Sequence, residues 1–369
     1  MQKLSAEILA KSSLVTWSPP LPGPRDGQRF TLSGLNGSSD AAVIAQQALN
    51  HRSAFSVMVI ICASALDAAR LHEEIPVFAP DLTVRLLPDW EILPYDAFSP
   101  HQDLVSERLA TLHELLIGHC DIVLMPVTTA IQKLGPPSFL AAHTFFFKKG
   151  DKLDEMALRL QLQQAGYDPV SAVVRPGEYS LRGGLIDLFP MGSALPYRLD
   201  LFGDEIDQIR SFDPDTQRSL FPVQEVRLLP GHEFPMDEES RTAFRGRWRE
   251  VFDGDPSRCS IYKDMGLGIP SAGIESYLPL FFESTSTVFD YLPLAKGPVW
   301  LGIHGELENQ IKGFWQDTQQ RYNFLSHDSS RPVLDPKRLY LQNDELFALL
   351  KPHARLVLQK ESFIESAGE

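Results

Sequence analysis

Two stretches, "SVMVIICAS" (Ser56 to Ser64) and "CDIVLMPV" (Cys120 to Val127), are almost unbroken apolar runs of strand length. A strand with one wet face alternates. A strand that does not alternate is covered on both faces, and parallel sheets clad in helices are where such strands occur. The surrounding text agrees. "ALDAARLHEEI" follows the first run with helical spacing, "LTVRLLP" reads as a strand, and "DLVSERLATLHELLIG" puts Leu109, Leu112, Leu115 and Leu116 on one helical face. Strand–helix alternation from about residue 28 to 143 predicts a doubly wound parallel sheet.

From 144 to 230 the pattern changes. After a helix from Asp154 to Ala165, "PVSAVVRPGEYSLRGGLIDLFPMG", "YRLDLFGDEIDQIRSFDPDTQRS" and "VQEVRLLPG" alternate with period two between Gly- and Pro-marked turns. This predicts a small, mostly antiparallel β-rich α+β domain with one helix. Helices return from 231, in "MDEESRTAFRGRWREVF" and "GELENQIKGFWQDTQQRYNFL", with "GPVWLGI" and "RLYL" as candidate strands and "NDELF" as a helix start. A β unit between two α/β stretches predicts an insertion. Residues 1–143 and 231–369 would build one core, ending in a linker, and residues 144–230 would interrupt it.

Charge narrows the partners. The 369 residues carry a net charge of −14, whereas a chain that grips nucleic acid by itself shows a basic excess or stripe. The best basic clusters, "FRGRWRE" (Phe244 to Glu250) and the pair Lys148 and Lys149, are short and read as a solvated helix face and a turn. No run of about 18 apolar residues exists, so no membrane span is expected. The N-terminal "MQKLSAEILAKSSLVTWSPPLPG" lacks an apolar signal core, which makes a cytoplasmic protein the expectation. Cys62, Cys120 and Cys259 form no CxxC pair and read as buried small side chains, with no metal site.

"SGLNGSSDAAVIAQQAL" (Ser33 to Leu49) has the look of a phosphate-binding loop running into a helix. A working loop reads GxxxxGK[ST]: backbone N–H groups cradle phosphates, the Lys neutralises them and the hydroxyl holds Mg²⁺. Laid on that pattern, Gly34 keeps the first position, but Ser39 replaces the second Gly, Asp40 the Lys and Ala41 the Ser/Thr. Beside a polyanion, a carboxylate in place of an ammonium exchanges attraction for repulsion of roughly 4 kcal/mol at 4 Å and an effective dielectric of about 20. An ordinary Gly/Asn/Ser turn with Ser39 or Asp40 capping the helix is the other reading. Both readings predict no ATP binding here. "LDLFGDEID" alternates and ends at Gly203, so it reads as a one-faced strand and turn, not as a buried Mg²⁺-binding box. "HELLI" lacks a second histidine and is a structural helix segment.

Three blocks resemble a known family: "LPDWEILPYDAFSPHQDLVSERLATLHEL" (Leu87 to Leu115), "GEYSLRGGLIDLFPMGSALPYRLDLFGDEIDQIRSFDPDTQRS" (Gly177 to Ser219) and "IPSAGIESYLPLFF" (Ile269 to Phe282). They are similar to the N-terminal, UvrB-like module of bacterial transcription-repair coupling factors. The resemblance implies an α/β core with a degenerate P-loop that does not hydrolyse ATP, interrupted by the domain on which UvrA docks. Carried over by position, Arg182 in "SLRGG", Arg198 in "PYRLD" and Phe202 in "DLFGDE" match UvrA-contacting residues. Arginine suits carboxylate partners and an exposed aromatic suits an anchor; Arg198 and Phe202 share a strand face about 13–14 Å apart.

In UvrB a β-hairpin that threads DNA follows the segment matching "LPYDAFSP"; here only "HQDLVSER" intervenes, too short for one. The resemblance also puts the polymerase-binding domain and the ATP- and Mg²⁺-dependent DNA translocase motor C-terminal to this module. RNA polymerase and DNA would then be reached only through those further parts, and UvrA by this chain, as a monomer. "KESFIESAGE" reads as an interdomain linker of a longer protein. The rival is an ATP-dependent, UvrB-like helicase or DNA damage-binding protein, which needs Lys and Thr where Asp40 and Ala41 stand.

Overall fold

The computed structural model describes Gly23 and residues 25–359; the readings of the N-terminal leader and of "KESFIESAGE" fall outside them. The first stretch runs β1 (Arg29–Leu32), α1 (Ser39–Asn50), β2 (Val57–Cys62), α2 (Ala65–Phe78), β3 (Val84–Leu86), α3 (Gln102–Ile117) and β4 (Ile122–Pro126). The middle carries β5 (Phe145–Lys148), α4 (Glu155–Gln164), β6 (Asp168–Pro169), β7 (Glu178–Arg182), β8 (Leu185–Leu188), β9 (Tyr197–Phe202), β10 (Glu205–Phe212), β11 (Ser219–Val223) and β12 (Glu225–Leu228). The last adds α5 (Glu238–Val251), α6 (Ser260–Leu267), β13 (Val299–His304), α7 (Leu307–Leu325), α8 (Asn343–Leu350) and β14 (Ala354–Leu358).

Both apolar runs are buried along their whole strands. They lie side by side in a six-stranded sheet of order β1-β14-β13-β2-β4-β3, parallel throughout. Strands from both ends of the chain thus share one sheet. One face packs Met58, Ile60 and Leu124 against Ile44 of α1 and Leu71 of α2; the other packs Val59, Ile61 and Val123 against Leu109 and Leu112 of α3. All three cysteines are buried, and burial pushes the Cys62 and Cys120 thiols up, as suits inert small side chains.

A second sheet of order β11-β10-β9-β8-β7-β6 is antiparallel except at β6–β7. The chain passes into this domain along β5 and returns along β12, and these two pair with each other, tying its ends together. Its inward face (Tyr179, Ile186, Leu199, Ile209) belongs to the same apolar cluster as α3 and the central strands. The inserted domain is therefore welded onto the core. At the seam, buried Arg108 of α3 pairs with buried Glu233, which also accepts from the Trp90 indole. Burying that charge is tolerable because it is paired and hydrogen-bonded.

Two readings need correction. "RLYL" is no strand: Pro336–Arg338 is a turn of 3₁₀ helix, and Tyr340 makes only an isolated bridge to Gln132. The strand that completes the sheet is "ARLVL" (Ala354–Leu358). "FRGRWRE" is not a solvated face either. Phe244 and Trp248 are buried, Arg247 donates to the Leu280 carbonyl, Arg249 to the Tyr262 hydroxyl, and Arg245 lies over the Tyr262 ring. These cations fasten α5 to its neighbours. "NDELF" does open a helix, α8. No strand occurs between Pro88 and α3, whose first residue Gln102 follows Pro100 and His101 directly. Among the described residues no helix is long and apolar enough to cross a membrane.

Candidate functional site

The two predicted sites fall in different domains. At the first, β1 leads into a loop in which Gly34 and Gly37 both take positive φ, and α1 begins at Ser39. The loop closes on itself: the Ser39 N–H and hydroxyl both donate to the Asn36 carbonyl. Ser39 is thus no side-chain cap, and neither is the N-cap residue Ser38. Ala41 is fully buried against the sheet.

Asp40, at 1% exposure, turns inward. Its carboxylate accepts the Ala41 N–H at 2.8 Å, both Nη groups of Arg70 at 3.1 and 2.6 Å, and faces His304 Nε2 at 2.8 Å. Arg70 comes from α2 and His304 from the last position of β13. Burial alone would oppose ionisation of Asp40. The hydrogen bonds from His304, Arg70 and Ala41 and the charge of Arg70 outweigh it, and hold the carboxyl well below the usual carboxylate range. Helix first-turn N–H groups and nearby cations are what bind anions at such a loop. Here the chain's own side chain takes them. Sequence reasoning read the wrong sign at Asp40 but missed its partners, which lie 30 and 264 residues away.

The second site is the outward face of the inserted sheet. The β7–β8 turn is Gly183-Gly184, both at positive φ, which a two-residue hairpin of this hand needs. It places Asp187 of β8 opposite Ser180 of β7 and opposite Arg198 of β9. Asp187 has no exposed side-chain surface, yet it serves two arginines. Arg198 grips it with Nε at 2.6 Å and Nη2 at 2.9 Å, while Arg182 Nη2 reaches it at 2.7 Å. Arg198 also donates from Nη1 to the Gln217 carbonyl and lies 4.8 Å over the Phe212 ring, leaving its side chain 15% exposed. The Arg182 side chain is 51% exposed. Beyond them Arg210 pairs with Asp200, and Phe202, at 84% exposure, projects beside the Gly203 turn.

The structure therefore brings Arg182 and Arg198 together on one buried carboxylate and puts Phe202 on the same face, four residues along β9 from Arg198. It separates their characters: Arg182 and Phe202 stand in solvent, whereas Arg198 is locked into the sheet. Asp187 was missed. The signal for it was present in "GLIDLFP", where a lone carboxylate sits in an otherwise apolar strand and must find a cation.

A parallel α/β core interrupted by a β-rich domain with arginines and an aromatic on its outer face defines a UvrB-like module. The comparisons agree. A family model described as the UvrB interaction domain matches residues 145–234. The transcription-repair-coupling factor of Escherichia coli (strain K12) is 44% identical over 336 residues, 91% of this chain and 29% of the relative. That of Haemophilus influenzae is 40% identical over 96% of this chain and 30% of the relative, and that of Myxococcus xanthus 32% over 73% and 23%. The chain belongs to the transcription-repair-coupling factor family. It spans less than a third of the length of these curated relatives.

Proposed function

We propose that this chain is the UvrA-recruiting module of a transcription-repair coupling factor, linking stalled RNA polymerase to nucleotide excision repair, and that it does no chemistry itself. The observation that carries this is the docking face: Arg182 and Phe202 are exposed on a domain of the matched family, beside a clasp that fixes Arg198. Exposed arginine and aromatic side chains on a rigid sheet are the residue types that dominate protein interfaces. A triphosphate does not fit the loop at α1, where Asp40 stands in the lysine's place, Ala41 in the hydroxyl's, and Arg70 is already engaged. No step is assigned to nucleotide in this chain. ATP, Mg²⁺, DNA and polymerase belong to further parts of the longer protein, which works in the cytoplasm; this module acts as a monomer.

Retention of UvrA by the immobilised 369-residue chain tests the proposal. The wild type retains it and Arg182→Glu, which places a like charge against a carboxylate partner, loses it by at least a hundredfold. Failure of the wild type to retain UvrA overturns the function; full retention by Arg182→Glu overturns the site.

A further inference from the structure

Both docking arginines converge on one side chain that faces no solvent. Asp187 offers two carboxylate oxygens; Oδ1 takes Arg198 Nε, and Oδ2 takes Arg198 Nη2 and Arg182 Nη2 together. Three charge-assisted bonds at 2.6–2.9 Å make this a strong clasp. Its donor count is uneven. A guanidinium has five N–H donors in a fixed fork. Arg198 commits Nε, Nη1 and Nη2 within the domain, whereas Arg182 meets Asp187 through Nη2 alone and has half its surface in solvent. Without an anchor, an exposed arginine samples many rotamers, and ordering it on binding costs free energy.

We propose that Asp187 is the positioning residue of the docking face: it holds Arg182 against the locked Arg198 so that the uncommitted N–H groups of Arg182 meet carboxylates of the partner. This rests on the docking reading above. Two arginines and one aspartate leave the cluster with a net positive charge, so the matching surface is acidic, with an apolar recess for Phe202. Asp187 does not touch the partner. It acts by removing rotamer freedom from Arg182 and by fixing Arg198 as the wall against which Arg182 stands.

The cluster's charge gives the test its edge. Asp187→Asn keeps the shape and adds one positive charge to the face. A carboxylate that merely neutralised the arginines would, on removal, leave binding of an acidic partner equal or tighter. A positioning carboxylate leaves it weaker. The expected result is a loss of about tenfold in UvrA affinity for Asp187→Asn, read by titration of the full chain. In the wild type, the Arg198 Nε–H should be a slowly exchanging NMR signal that Asp187→Asn makes fast. A double-mutant cycle with Arg182→Ala should be strongly non-additive. Should Asp187→Asn melt early, Arg198→Lys carries the test, since it keeps the charge, loses the fork and weakens binding similarly. Unchanged or tighter binding by Asp187→Asn, an additive cycle, or full binding by Arg198→Lys overturns the proposal. A wild type that binds no UvrA overturns the docking reading instead, and the Nε–H exchange still reports on the clasp.

Discussion

The head of α1 and the outer face of the inserted sheet are built from the same pieces and leave opposite things exposed. Each centres on a fully buried aspartate gripped by arginine: Asp40 by Arg70, Asp187 by Arg198 and Arg182. At Asp40 the carboxylate sits where an anion would be bound, and it consumes the donors that would bind one: the first-turn N–H, a guanidinium and an imidazole. At Asp187 the carboxylate lies beneath the sheet surface and holds a second arginine by one nitrogen alone, leaving half of that side chain outward. A buried ion pair is weak evidence for stability by itself. What it does depends on which donors it leaves free.

The comparison breaks most visibly at Asp40. Replacing it by Ala strands Arg70 and His304 against a buried void, and removing one partner of a buried pair costs about 3–5 kcal/mol. Arg70 also reaches Glu74 and, at 3.7 Å, Asp67, so the expected loss lies at the low end, about 3 kcal/mol by urea unfolding at pH 7. The pH dependence has a definite sign. A carboxyl whose folded pKa is depressed adds stability above its unfolded value of 3.8 and surrenders it as pH falls below that. Asp40→Ala should therefore shallow the acid limb of the stability profile. An unchanged limb would show the network to be absent in solution.

On the proposed docking face a truncation should do the reverse. Phe202→Ala removes an 84% exposed ring, so the melting temperature stays put while UvrA affinity falls about 30-fold, or about 2 kcal/mol. A fall in both would mean the ring supports the fold.

A buried carboxylate of another kind sharpens the contrast. Glu275 accepts from the Ser99 hydroxyl and pairs with no cation among the described residues, and burial with the charge of Glu233 nearby pushes its pKa up to about 7 from 4.5. The folded chain then holds that proton more tightly than the unfolded one, so stability declines as pH rises from 4.5 to 7. Glu275→Gln should flatten that window and stabilise the chain at pH 8 by about 1–2 kcal/mol, measured by urea unfolding. An equal slope in the variant would assign the decline to other groups.

How far these features could be read from the sequence follows from range. The central strands were legible in "SVMVIICAS" and "CDIVLMPV" because burial on both faces erases alternation. The strand "ARLVL" was passed over for "RLYL": Arg355 breaks its apolar run, and its pairing with β1, 326 residues earlier, has no local mark. Asp40 could be recognised as the wrong charge for a phosphate loop, since that needs only eight adjacent positions. That the charge is buried and matched by α2 and β13 could not. On the inserted sheet, period-two alternation correctly put Arg198 and Phe202 on one face, but alternation cannot distinguish an arginine in solvent from one locked over Phe212.

Titration of the 369-residue chain with Mg²⁺ and a fluorescent ATP analogue tests most directly the claim that the cradle is closed by its own carboxylate. The account predicts no saturable binding at millimolar nucleotide under conditions where UvrA binds. Saturable binding at or below millimolar concentrations, with Asp40 in place, would contradict it.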